Sequence, residues 1–286
     1  MILLRAQLRK IPVLVLLVAV LGGCSSTRLI YSFAGGFIQD EVAFFLDLDE
    51  EERAFLDQQV TEMIAWHRKT LLPTYAAYLS DMADKLAEGQ YGAADIARTL
   101  ADGRSLMEKT VKGLTPHASK VLVRHMTGDD ITFMEEKMAV RRQDRFEEIS
   151  KPEEERYADR IDRLKVIFER FFGNLTEEQV TILEAHARAT LGDSRIRLRN
   201  QMLRQRAFVA FLKTQPVETA LTAYLDKLLL RGHEITGPDY EVFSRVSFDR
   251  FRKLLVSVLA ISLPAQRETI INTLRDYAED FRSVSN

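Results

Sequence analysis

The sequence predicts an all-α fold, a bundle of about nine to ten helices that follows an N-terminal signal segment. Apolar side chains recur with the 3.6-residue period of an amphipathic helix in nearly every segment after the signal. No segment sustains the period of two that a half-buried strand shows. Helix-start signals precede several of these segments. The composition, 46% hydrophobic and 29% charged, is that of an ordinary folded domain.

The same periodicity places the individual helices. The second helix is expected to bend at Pro73, and Pro116 is expected to occupy the first position of a later helix. Thr176 and Gln179 have the spacing of a capping box, which predicts a helix start at residue 177. The predicted helices are 29–46, 50–88, 92–113, 116–126, 129–149, 152–172, 177–213, 216–231, 239–260 and 265–283.

A weak internal repeat links three of the helix starts. Leu48, Leu175 and Leu263 are each followed, seven and eight residues later, by a pair of apolar residues. Stacked helical hairpins would produce this repeat. Any capped amphipathic helix would also produce it, so both a plain bundle and a stack of hairpins agree with the pattern.

The first 23 residues have the order of an export signal. Basic residues Arg5, Arg9 and Lys10 precede an apolar run over 11–21, and Gly22-Gly23 follows. The run is too short for a membrane-spanning helix, which needs about 20 apolar residues. We therefore expect a removable signal at 1–23 and a single helical periplasmic domain at 24–286.

The residues Leu21-Gly22-Gly23-Cys24 resemble the lipobox of bacterial lipoproteins. The resemblance implies that Cys24 becomes the first mature residue and carries covalent lipid. It also implies that Ser25, in place of an aspartate, favours sorting to the outer membrane. The lone cysteine also agrees with a buried thiol in an uncleaved helix, or with an ordinary signal that contains a cysteine by coincidence. Two or more acyl chains hold a protein stably on a bilayer without a transmembrane helix.

Charge is distributed unevenly along the chain. Removal of the signal changes the net charge from −2 to −5, which argues against nucleic acid as a partner. Residues 39–62 contain nine acidic side chains and one basic one, whereas 188–213 contain seven basic and one acidic. A predicted helical face carries Arg188, Arg195, Arg199 and Arg206. This basic face could bind lipid phosphate or an anionic polymer, lie in solvent, or pair with residues 39–62.

His67 is the most notable of the five histidines. It falls on the same helical stripe as Val60, Met63 and Leu71, which predicts that its ring points inward. A buried histidine could act as a base or a metal ligand, but the sequence offers no carboxylate or second ligand for it. A hydrogen-bonded core histidine is the interpretation favoured.

The run Trp66-His67-Arg68, followed by Leu72-Pro73 and Tyr75 and preceded by Leu29-Ile30-Tyr31, resembles a family of Gram-negative lipoproteins of unknown function. The resemblance is clearest over residues 24–80. It implies a helical protein at the outer membrane and a structural or interaction cluster at Trp66, His67, Arg68 and Tyr75. It implies nothing about activity.

A second similarity concerns a single motif. Residues 175–179, LTEEQ, resemble the L-T-x-x-Q motif of the Spy-type periplasmic chaperones, but the pattern occurs once and is also a plain capping box. The resemblance implies a chaperone-like or apolar-client binding role as an alternative function.

Motifs for enzymatic chemistry are missing from the sequence. The five histidines have no close metal-ligand spacing, and there is no glycine-rich phosphate loop or G-x-S-x-G elbow. We therefore predict a non-enzymatic envelope lipoprotein with no metal, no cofactor and a protein partner in the envelope. An envelope hydrolase is the least supported alternative.

The tether between the lipid and the body is expected to be short. Ser25, Ser26 and Thr27 alone precede Arg28 and the apolar run that opens the first helix. This helix should therefore begin close to the lipid headgroups. It is expected either to pack on the body or to lie in the membrane interface.

Overall fold

The computed structural model describes the backbone of residues 25–285 and the side chains from residue 31 onward. This part of the chain is helical, with no strand. The signal segment and Cys24 lie outside the described residues. The helices are α1 (Ser25–Phe45), α2 (Glu50–Trp66, a π-helical turn His67–Leu71, and Leu72–Ala87), α3 (Ala93–Leu122), α4 (Gly128–Ser150), α5 (Glu153–Phe172), α6 (Glu177–Ala189), α7 (Asp193–Leu212), α8 (Glu218–Leu230), α9 (His233–Thr236), α10 (Asp239–Ala260) and α11 (Pro264–Ser285).

The prediction of two helices over 92–126 is wrong. A single helix, α3, runs through Pro116. A proline inside a helix costs about 3 kcal/mol, because its ring removes a hydrogen bond and crowds the preceding turn. A tertiary contact beside the proline helps to offset this cost: Thr115 is buried and its hydroxyl donates to the Asp226 carboxylate of α8 at 2.6 Å. Within α3, the Ser119 hydroxyl donates to the Thr115 carbonyl at 2.8 Å.

The single helix predicted over 177–213 is also wrong, since α6 ends at Ala189 and α7 begins at Asp193. Arg250 of α10 stabilises the break. Its guanidinium donates to the Ala189 carbonyl at 3.2 Å and to the buried Asp193 carboxylate at 3.2 Å. The Ala189 carbonyl lies at the C-terminal end of α6, where backbone carbonyls have no intrahelical partner, and Asp193 is the first residue of α7. Arg250 of α10 therefore gives the Ala189 carbonyl the hydrogen bond that a backbone N–H would donate in a continuous helix.

Two apolar clusters form the interior. The first combines the end of α1 and the first half of α2 with α3, α4, α7 and α8, and includes Leu56, Met134 and Leu221. The second combines the second half of α2 with α5, α6, α10 and α11, and includes Leu183. Helix α2 contributes to both clusters, and its π-helical turn lies between its two contributions. The long second helix thus connects two separately packed regions.

Two glutamines join the starts of α6 and α11. Gln179 and Gln266 are buried and exchange two side-chain hydrogen bonds, each of 2.9 Å. Gln179 also completes the capping box with Thr176, and Gln266 accepts from the Leu263 backbone N–H at 3.0 Å. The predicted capping box is confirmed. Residues 175–179, which resemble a chaperone motif, thus cap α6.

Helix α11 runs antiparallel along the second half of α2. Arg275 pairs with Asp84 at 2.9 Å near one end, and the rings of Phe281 and Tyr75 lie 6.1 Å apart near the other. The C-terminal end of α11 is therefore placed beside the segment that contains Trp66, His67 and Tyr75.

Candidate functional site

A π-helical turn, residues His67–Leu71, interrupts α2 immediately before Pro73. The Leu72 backbone N–H donates to the His67 carbonyl, a step of five residues that defines the wider turn. Pro73 has no N–H, and its ring would crowd the carbonyl four residues earlier in a regular helix, so a wider turn relieves the contact. The bend expected at Pro73 is thus a π turn, and turns of this kind frequently occur at functional sites.

The turn places His67 against α1. The Tyr31 hydroxyl lies 3.0 Å from His67 Nδ1 and 3.3 Å from the Ile64 carbonyl, to which it can donate. The two rings are stacked with their centroids 6.0 Å apart. If the phenol donates to Ile64, the Nδ1–H of His67 donates to the phenol oxygen, and if not, the phenol donates to Nδ1. Either tautomer keeps α1 joined to α2.

Helix α1 packs on the body, one of the two arrangements expected for it. Beyond Tyr31, a side chain at Gly35 would begin 3.3 Å from Ile64, so the helices approach closely there. Ile38, Val42 and Phe45 pack against the first apolar cluster. The helix is thus held along most of its length.

Trp66 and Tyr75 attach the π turn to α3. A Cβ added at Gly113 would fall 1.8 Å from the Trp66 ring, so only glycine fits beneath the indole. The Tyr75 hydroxyl forms a short hydrogen bond with Thr110, whose own hydroxyl donates to the Leu106 carbonyl. The residues Trp66, His67 and Tyr75 therefore lie together, with Trp66 and Tyr75 against α3 and His67 against α1.

Arg68 points outward from the same turn. Its side chain is exposed, and its guanidinium lies over the Tyr31 ring at 5.3 Å from the centroid. The cation and the ring face attract each other by about 0.5–1 kcal/mol at exposed sites. The predicted cluster of Trp66, His67, Arg68 and Tyr75 is brought together around Tyr31.

Burial lowers the pKa of His67 below its ordinary value of 6.5 and raises the pKa values of Tyr31 and Tyr75 above 10.0. The cluster therefore contains neutral rings near neutral pH. A phenol is the partner of His67, and a phenol cannot orient an imidazole as a general base in the way that a carboxylate does. The geometry favours a structural joint.

The lowered pKa of His67 predicts that acid loosens α1. Because the unfolded histidine binds a proton at higher pH than the folded one, stability contributed by neutral His67 is present above about pH 6.5 and is lost as the pH falls through the folded pKa. We expect amide hydrogens of residues 31–38 to exchange severalfold faster at pH 5 than at pH 7, after correction for intrinsic exchange. A His67→Gln variant should show a smaller pH effect. Equal pH effects in both proteins would contradict this role of His67.

The predicted basic face is divided by the break between α6 and α7. Arg188 belongs to α6, where its guanidinium lies 4.1 Å above the Tyr157 ring. Arg195, Arg199 and Arg206 are exposed on one face of α7 and form no ion pair within residues 31–285. Among the described side chains they form no ion pair with the acidic segment 39–62, whose Glu41 pairs instead with Arg141 at 2.7 Å. The remaining three arginines therefore form a solvated face.

A small cleft lies at one end of this face, between α4 and α7. Its volume is about 160 Å³, below the 300–1,000 Å³ usual for small-molecule sites. Arg206, Arg142 and Glu135 line it together with Met138, Met202, Gln205 and Val209. Across the described residues no group of three His, Cys, Asp or Glu side chains is placed to hold a metal. No helix in the described part of the chain is long and apolar enough to cross a membrane.

Sequence reasoning identifies the residues of the π turn but misses most of their partners. Tyr31 belongs to the upstream part of the family resemblance, yet nothing in its spacing shows that it contacts His67. Gly113, Thr110 and Phe281 do not stand out in the sequence. A glycine inside the strongly periodic segment 93–122 is the one available signal, because such a glycine often marks a close helix contact.

Comparison with known proteins identifies the family. Neither the curated proteins nor the solved structures contain a match to the chain. A model for a family of unknown function (DUF6279) matches residues 44–241, well over half of the chain. The match contains the π turn and all four predicted cluster residues, Trp66, His67, Arg68 and Tyr75, and begins near the end of α1. The chain therefore belongs to this family of unknown function.

Proposed function

We propose that the protein is an outer-membrane lipoprotein, anchored through Cys24 on the periplasmic face, whose helical body has a non-enzymatic structural or interaction role in the cell envelope. The observation that carries this proposal is the position of Leu21-Gly22-Gly23-Cys24 immediately before α1, which begins at Ser25. A lipid anchor on Cys24 would be followed at once by a helix, without a flexible linker.

The contacts of α1 support a role that depends on position. Tyr31 joins α1 to the π turn, and Arg141 of α4 pairs with Glu41 near its other end at 2.7 Å. Because α1 is fixed to the body near both ends, the position of the anchor relative to the body is also fixed. The body would therefore stand at a defined distance from the bilayer, as a scaffold or docking element requires.

Replacing the lipidated residue tests the anchor. We expect a Cys24→Ser chain to be depleted about tenfold or more from the washed membrane fraction. Two or more acyl chains hold a protein stably on a membrane, and without the Cys24 thiol no lipid can be attached. Ser25→Asp should leave the protein in membranes but move it toward the inner membrane, and Ser25→Ala should keep it in the outer membrane. A Cys24→Ser chain that stays in the outer membrane fraction would contradict lipid anchoring.

The interaction role has its own test. Crosslinking in intact cells is expected to capture one reproducible envelope protein with the wild-type chain and to lose it with the mislocalised Ser25→Asp chain. Recovery of nothing beyond the most abundant neighbours, in equal amounts from both chains, would contradict a dedicated partner.

A chaperone-like or apolar-client role is the second candidate. It is favoured by α10, which exposes Phe248 and Phe251, three residues apart on one helical face, by 43% and 41%. Exposed apolar residues in a group often mark an interaction surface. The purified protein should then suppress aggregation of an unfolded client at stoichiometric ratio, and a Phe248→Ser, Phe251→Ser variant should not. No suppression by the wild-type protein would remove this candidate.

A further inference from the structure

The start of α1 defines which end of the molecule lies nearest the bilayer. Tyr31 follows Ser25 by six residues, a rise of about 9 Å along a helix. Because Tyr31 contacts His67 and carries Arg68 over its ring, the π turn lies beside the first two turns of α1. A lipid on Cys24 would therefore bring the π turn close to the headgroups as well.

The opposite face of these first turns exposes a large apolar side chain. Phe33 is 66% exposed, one of the largest exposures among the large apolar side chains described. Gly36, one turn later, has open space where a side chain would begin. Asp40, the next residue on this face, is exposed and acidic. The outward face of α1 thus changes from apolar to acidic with distance from Cys24.

Two exposed basic residues lie in the neighbouring π turn. Arg68 and Lys69 are both exposed, and neither forms an ion pair with a carboxylate among the described side chains. A lysine or arginine near an anionic membrane surface is attracted by about 1 kcal/mol. The Tyr31 ring holds the Arg68 guanidinium beside α1, at 5.3 Å from the ring centroid.

We propose that the outward face of α1 around Phe33, together with Arg68 and Lys69 of the neighbouring π turn, is the surface on which this protein rests on anionic phospholipid. Phe33 would enter the boundary between headgroups and acyl chains, and the two cations would contact lipid phosphates. Helix α1 would then lie inclined to the bilayer, with Asp40 directed away from it. This inference rests on the proposed lipid anchor and adds the orientation of the body above it.

The chain offers a direct way to test the orientation. Its sole cysteine would be occupied by lipid, so a Phe33→Cys substitution would place a single free thiol on the mature protein. Leu263→Cys is the matched control, because Leu263 is also well exposed, at 52%, and precedes α11 at the end remote from Phe281. Residues 263 and 281 are separated by about 27 Å along the helix.

Each variant would be extracted from membranes, labelled with an environment-sensitive fluorophore, and reconstituted in vesicles of phosphatidylethanolamine and phosphatidylglycerol that contain brominated acyl chains. We expect bromine to quench the label at 33 severalfold more than the label at 263. Arg68→Gln with Lys69→Gln should remove most of this difference, whereas Arg199→Gln with Arg206→Gln on α7 should leave it unchanged.

Three outcomes would contradict the inference, in whole or in part, and can be told apart. Equal, weak quenching at 33 and 263 in a protein whose mass confirms acylation would contradict the orientation and leave the anchor in place. A purified mature chain without acyl groups on Cys24 would contradict the anchor and, with it, the membrane contact. Quenching at 33 that is unaffected by loss of Arg68 and Lys69 would contradict the role of the two cations.

Discussion

A Gln179→Leu variant is expected to lose about 2–4 kcal/mol of unfolding free energy. Gln179 is fully buried, and its side chain serves the Thr176 backbone N–H and both amide atoms of Gln266. Leucine satisfies none of these groups, so the Thr176 N–H loses its cap and each Gln266 amide atom loses one of its two partners, the Leu263 N–H and the Asn174 carbonyl remaining. A lost buried hydrogen-bond partner costs about 1–3 kcal/mol. Urea unfolding followed by circular dichroism measures the loss.

The exposed Gln143 provides the matched control, since its side chain contacts only Glu147 on the same helix, at 3.4 Å. Gln143→Leu should change stability by less than about 0.5 kcal/mol. The double variant Gln179→Leu, Gln266→Leu should lose less than the sum of the two single variants, because removing both partners of a buried pair is less harmful than removing one. Additive losses would show that the two amides do not act as a pair.

Gly113→Ala is expected to lower the free energy of unfolding by about 1–3 kcal/mol, although alanine is the better helix former by about 1 kcal/mol. The added methyl group would lie 1.8 Å from the Trp66 ring, so the indole must move. Because Trp66 is the only tryptophan in the chain, its fluorescence reports both the shift of the ring and the unfolding transition.

Gly36→Ala is the control variant. It gains the same helix preference of alanine over glycine but introduces no clash. Position 36 is also helical, but nothing lies within 4 Å of the added carbon, so this variant should be as stable as the wild type or more so. Shortening Trp66 to leucine in the Gly113→Ala background should recover part of the lost stability relative to the sum of the single changes. A stabilised Gly113→Ala protein would contradict the close packing of α2 on α3.

The class of the fold and several helix starts could be predicted because they depend on local chemistry. The 3.6-residue period and the capping box at Thr176 are properties of neighbouring residues, and the structure confirms them. The two incorrect boundaries depend on distant residues. Asp226 helps α3 continue through Pro116, and Arg250 stabilises the gap between α6 and α7. No window of neighbouring sequence contains those partners.

In the candidate site, too, local features could be predicted from the sequence and distant contacts could not. The residues around the π turn are recognisable as a motif, and the inward direction of His67 follows from helical spacing. Its partner could not be predicted, because Tyr31 lies 36 residues earlier and meets His67 only when α1 packs on α2. The prediction of a single basic face was partly wrong, because it relied on local spacing alone. Its spacing assumed one continuous helix, and the break at residues 190–192 separates Arg188 from the three arginines of α7.

The most direct test of the central proposal is the intact mass and N-terminal residue of the mature protein, purified from outer membranes that retain its native processing. We expect a chain that begins at Cys24 and carries the added mass of a diacylglyceryl group, usually with a third acyl chain. A mature chain that begins at any other residue, or that begins at Cys24 without acyl groups, would contradict the proposal that this helical protein is a lipid-anchored component of the envelope.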